Sequence, residues 1–168
     1  MNISELLSYS IPSLITGGIA YYFFSSFLSF NAKEKQINII TDRKKKSLPI
    51  KLQAYERMLL FCDRINPIKL QHRINPIGND SKGYLLLLTA NIEQEFEHNM
   101  VQQIYISDAS WTAIVATKIA IINKLNQLEK NCETAQELRE NILLEYKKAV
   151  PTTDTAISIL KTEVKKLL

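Results

Sequence analysis

Apolar positions along the chain fall into two different patterns. Residues 11–30 (IPSLITGGIAYYFFSSFLSF) carry apolar side chains on every side and no charge, inside an uncharged run from Leu6 to Ala32. From residue 48 onward the apolar residues recur at helical spacing instead. Leu52, Tyr55, Leu59 and Cys62, flanked by Met58, Phe61 and Ile65, form one stripe that Asn66-Pro67 ends, because the residue before proline resists the helical conformation. Residues 84–106 form the next helix, with Leu88, Ile92, Phe96, Met100 and Ile104 repeating every fourth position as a buried ridge. Ser107-Asp108 caps a helix to about Cys132, built on Trp111, Ile114, Val115, Ile122, Leu125 and Leu128. A further helix runs over 134–150 on Ala135, Leu138, Ile142, Tyr146 and Ala149, with Pro151 as its stop. The last begins at Thr153-Asp154 and uses Ile157, Leu160, Val164 and Leu167.

Ser47-Leu48-Pro49 reads as a fresh helix start, and residues 75–83 (NPIGNDSKG) as the one flexible linker. The strings Arg64-Ile-Asn-Pro-Ile68 and Arg73-Ile-Asn-Pro-Ile77 form a small echo, read either as two equivalent docking turns or as one helix end and one loop sharing turn chemistry. Nothing alternates at period two. The expected fold is all-α: a single N-terminal transmembrane helix followed by a compact bundle of about five helices. Its parts are a short N-terminus (1–10), the span (11–30), a basic juxtamembrane segment (31–47) and the helical domain (48–168).

Charge placement sharpens this picture. The chain has 21 Lys/Arg against 17 Asp/Glu, a formal charge of +4. Residues 31–51 hold seven of the basic residues with only Glu34 and Asp42, whereas residues 52–168 balance to zero. A nucleic-acid domain spreads its basic stripe over a folded surface, so no nucleic-acid partner is expected. The span is about the ~20 residues that cross a bilayer. No basic residue precedes it and several follow, which by the positive-inside bias places the N-terminus outside and the helical domain in the cytoplasm of a bacterial inner membrane. Arg43, Lys44, Lys45 and Lys46 then act as topology determinants touching membrane lipid headgroups. Ser13, Gly17 and Ala20 make a small-residue face for packing on another membrane helix.

Candidate chemistry is sparse. Glu95 and His98 have the i,i+3 spacing of half a carboxylate-bridged metal site, but His72 has no Glu three positions before it. Cys62 and Cys132 fall in apolar helical patterns, and no Gly-rich phosphate loop lies outside the span. No catalytic residue, metal, cofactor or small-molecule substrate is expected. A polar string on the second helix does stand out. Glu93, Glu97, His98 and Gln102, with Tyr55, Glu56 and Arg57, form the candidate surface for a protein partner.

Four strings occur in order: Ala-Tyr-Tyr-Phe-Phe (20–24), LPIKLQAYERM (48–58), RINP (64–67) and EQEFEHNMVQQIYISD (93–108). In this set the chain resembles a family of small single-span membrane proteins of unknown function from Bacteroidota-type bacteria. The resemblance implies an anchor followed by a helical domain, and no activity or cofactor. The expected role is therefore non-enzymatic: a membrane-anchored module that holds or recruits a protein partner at the inner membrane. The alternative is an accessory subunit of a larger membrane complex docked through its span, and self-association into a homo-oligomer is compatible with either.

Overall fold

The structure, a computed structural model, describes residues 3–148 and 152–168, the side chains of residues 3–13, 32, 37, 40 and 152 excepted. The expected roles of Ala149, Val150 and Pro151, and of the Ser13 side chain, lie outside the described residues. Six α-helices and one 3-10 turn are present among the described residues: α1 (Ile3–Arg64), α2 (Pro67–Arg73), α3 (Ser81–Asn99), the 3-10 segment Met100–Ile104, α4 (Asp108–Glu129), α5 (Ala135–Lys148) and α6 (Thr152–Leu167). The chain divides into two units, residues 1–47 and 48–168.

In the first unit, every side chain from Leu14 to Phe30 is exposed. No helix among the described residues is long and apolar enough to cross a membrane. The expected span at 11–30, the signal-anchor topology and the single-pass inner-membrane localisation are therefore overturned. Gly17 has open space where a Cβ would stand and Ala20 is exposed. Arg43, Lys44, Lys45 and Lys46 are exposed on α1.

The expected break at Ser47-Leu48-Pro49 is also absent, because α1 continues through it to Arg64. Ser47 does not cap the following turn. Its Oγ bonds back to the Lys44 carbonyl at 3.2 Å, so the hydroxyl serves the preceding turn. Pro49 lies on an exposed face, so the carbonyl that its missing N–H leaves without a helical partner is on the solvent side of the helix rather than in the core.

In the second unit, caps set most boundaries. Asn66 Oδ1 accepts from the Ile68 N–H at 3.1 Å, with Pro67 in the first turn, so the first Arg-Ile-Asn-Pro string opens a short helix, α2. The second string does not: Ile74 is extended and Ile77 is 91 % exposed in a loop. The two copies are thus not equivalent turns. Asp80 Oδ2 accepts from the Gly83 N–H at 2.8 Å, so α3 starts at Ser81, within the expected linker. Ser107 Oγ accepts from Ser110 N–H and starts α4. Thr134 and Glu137 form a reciprocal capping box at α5: Thr134 Oγ1 accepts from the Glu137 N–H, and Glu137 Oε2 from the N–H groups of Glu133 and Thr134. These two backbone N–H donors hold the Glu137 carboxyl below the usual range.

The helix expected over 84–106 ends early. Asn99 Nδ2 donates back to the Glu95 carbonyl at 2.8 Å, and the chain tightens into the 3-10 turn. The every-fourth ridge is consequently buried at Leu88 and Ile92, half-buried at Phe96, and exposed at Met100 and Ile104.

The core of this unit gathers Tyr55, Met58, Phe61, Cys62 and Ile65 of the α1 end with Leu70, Tyr84, Leu88, Ile92, Ile114, Ile121, Leu125, Leu138, Ile142 and Leu160. Helix α4 packs on α6, α3 and α5, and α5 also meets α2 and α3. Ser81 Oγ donates to the Cys132 carbonyl at 2.9 Å, tying the start of α3 to the α4–α5 connection.

Candidate functional site

The stripe that buries Tyr55, Met58 and Cys62 leaves the adjoining face of α1 to solvent. Gln53, Glu56, Arg57, Leu60, Phe61 and Arg64 recur there at helical spacing and face Glu95, His98 and Asn99 of α3 across a groove of about 400 Å³. Phe61, fully buried, forms part of its floor, and Leu60 stays half exposed. Glu95 anchors the far wall. Its carboxylate accepts two bonds from the Arg64 guanidinium, at 3.0 and 3.1 Å, and lies 3.5 Å from that of Arg73. This arrangement fixes a mixed-charge surface in which Glu56, Arg57 and His98 remain exposed.

Beside this groove, Phe96 organises a second cluster facing α4. Its ring lies 5.9 Å from Phe61 and stacks on Trp111 at 5.4 Å, and the Lys118 ammonium sits 4.2 Å above it. Lys118 Nζ also donates to Glu93 Oε2 at 2.7 Å. Glu93, expected on the partner surface, is thereby engaged with α4.

The structure brings together Glu56, Arg57 and His98 of the expected surface and separates the rest. Tyr55 is buried, and its Oη accepts from the Ser107 N–H at 3.1 Å, which joins α1 to the α4 cap. Glu97 is exposed next to the groove without lining it, and Gln102 is half-buried in the 3-10 turn. The sequence alone does not mark Gln53, Leu60, Arg64 and Asn99 as lining residues, nor Glu95, which it offers as half of an incomplete metal site. A signal for the first three was present, since they share the helical register of Arg57.

The Glu95/His98 pair does not make a metal centre. No group of three or more His, Cys, Asp or Glu side chains placed to hold a metal occurs among the described residues, and Glu95 is already committed to two guanidinium groups. Burial pushes the Cys62 thiol up to about 12, which keeps it protonated near neutrality. Cys132 is buried, with its sulfur 3.1 Å from both the Leu128 carbonyl and Asn141 Nδ2. The groove sets exposed groups of both signs around a small apolar floor, held by helix register and by Arg64 Nη1 on both oxygens of Glu95.

No curated protein and no solved structure matches the chain. A family model does, over residues 1–167, and the chain belongs to that family of unknown function, DUF7935.

Proposed function

We propose that this chain is a non-enzymatic helical module that holds a protein partner in the groove between residues 53–64 of α1 and residues 95–99 of α3. One observation carries the reading: Glu56, Arg57 and His98 stand exposed around a floor whose geometry the Arg64–Glu95 pair fixes. Interfaces combine a small desolvated centre with a polar rim, and Arg is enriched among the residues that dominate binding. Leu60 and Phe61 supply the centre, and Arg57 with its charged neighbours supplies the rim.

The test is affinity purification of the tagged full-length protein from its own cells, with mass spectrometry of what accompanies it. Wild type is compared with the double variant Arg57→Glu/His98→Ala, which changes only exposed side chains that line the α1–α3 groove and not the hollows beside α6. A near-stoichiometric partner, lost by the variant while its melting temperature is retained, is the expected result. If nothing accompanies the wild type, or every partner stays with the variant, the reading fails.

A further inference from the structure

A second furrow lies on another side of the same α1 segment. Leu52, Tyr55, Glu56 and Leu59 face Leu160, Lys161, Val164 and Lys165 of α6 across about 390 Å³. The two helices run antiparallel here. Asn66 Nδ2 donates to Thr153 Oγ1 at 3.3 Å near one end, and Lys51, Tyr55 and Leu167 share a smaller hollow at the other. The floor is apolar at i, i+3 and i+7 on α1 and at i and i+4 on α6, and Leu52, Leu59 and Val164 are only half-buried. Two antiparallel helices with a partly uncovered apolar seam present ridges and a groove into which a third helix packs.

The rim states what kind of helix. Lys161 and Lys165 stand one turn apart on the α6 side, both exposed, and neither makes an ion pair among the described residues. Their neighbour Lys166 is paired to Glu163 at 2.6 Å. On the α1 side the furrow is lined by Glu56. We propose that this furrow binds an amphipathic helix whose apolar face lies on Leu52, Leu59, Leu160 and Val164, and whose acidic flank runs along Lys161 and Lys165. A fatty carboxylate carries its charge at one end, whereas these lysines are spread along the furrow beside its floor. That placement favours a helix with repeated acidic residues over an acyl chain. The inference goes beyond the proposed function, because the α1–α3 groove contains neither lysine.

The probe is a fluorescein-labelled designed helix of roughly 16 residues, long enough to be helical once docked, with Leu at i, i+3 and i+7 and Glu along one flank. Its anisotropy is titrated with the full-length protein. The comparison peptide carries Lys in place of each Glu. Saturable binding of the Glu-flanked peptide is expected. It should weaken about tenfold or more in Lys161→Glu/Lys165→Glu and at high salt, as paired rim charges require. Both substitutions are at exposed positions, so an unchanged melt shows that folding is intact. A second variant, Val164→Asp, should abolish binding by placing an unpaired charge on the floor. The proposal is overturned by no saturable binding, by equal affinity for the two peptides, or by an affinity that the double variant does not alter. Saturable binding of oleate but not of the peptide would overturn it in favour of an acyl ligand, and lysine-dependent self-association would do so in favour of a second copy. None of these outcomes touches Arg57 or His98, so this furrow and the α1–α3 groove stand or fall separately.

Discussion

Two stretches of α1 are similarly rich in apolar residues and end in opposite states. Over 14–30, Leu, Ile, Phe and Tyr occupy all sides of the helix, and every one of these side chains is exposed. Over 51–64 the apolar residues are confined to a stripe, and Tyr55, Met58, Phe61 and Cys62 are almost wholly withdrawn from water. Apolar content is thus a poor guide to burial and spacing a good one. A stripe can be covered by neighbouring helices while its polar back stays wet, whereas an all-round apolar helix needs cover on every side. Of the polar interruptions in 14–30, Tyr21, Ser25 and Ser29 recur every fourth position with Tyr22 and Ser26 beside them, so these five share one side of the helix and Thr16 lies apart.

The contrast breaks if truncations in the two stretches have similar effects. Phe61→Ala removes a fully buried ring and should cost about 3–5 kcal/mol, as large-to-small core changes do. Phe27→Ala removes an exposed ring of the same size and should shift stability by no more than about 0.5 kcal/mol. Denaturant unfolding followed by circular dichroism measures both, and comparable losses would mean that 14–30 is packed after all.

A sharper version concerns charge inside the striped region. Lys118→Met keeps the aliphatic stem but removes both the ion pair to Glu93 and the cation over Phe96. The expected loss is about 1–2 kcal/mol, since a partly desolvated cation–π contact adds to a modest ion pair. Glu93→Gln breaks only the ion pair and should cost less. Equal costs in a double-mutant cycle would assign the whole effect to the carboxylate.

The smallest effect is expected at the α5 cap. Glu137 has a depressed folded-state pKa, so its contribution is fully present above its ordinary value of about 4.5 and is lost as pH falls through the lowered folded-state value. Glu137→Gln keeps a hydrogen-bond acceptor and loses the charge. Its melting temperature should fall slightly below that of wild type at pH 7, and the two should converge as pH falls below the lowered folded-state value. A gap that widens on acidification would rule out the depressed carboxyl as its source.

Two helix starts are legible because capping is local: Ser107 and Thr134 fix their helices through partners within three residues. What depends on distant contacts is not. The retreat of α3 at Asn99 shows only once Met100 and Ile104 are found without cover, and nothing near Pro49 in the sequence signals that α1 runs on. The same division runs through the site. Glu56, Arg57 and His98 announce themselves as polar residues beside apolar stripes, but the Arg64–Glu95 pair spans 31 positions and appears only when two helices meet. Glu93 was misassigned to the partner surface for the same reason, its lysine lying on another helix.

The 74–80 loop has a practical consequence. Its tip, Ile77, is almost fully exposed, yet both margins are fastened. The Tyr84 hydroxyl donates to the Ile74 carbonyl at 2.9 Å, and the Ala135 N–H to the Asn79 carbonyl at 2.8 Å. A protease has an accessible bond there, while the helices on either side share one core, so a nicked chain should persist as a noncovalent pair of fragments. The position is therefore a natural place to divide the protein into two polypeptides that reassemble, turning the core itself into a reporter of association.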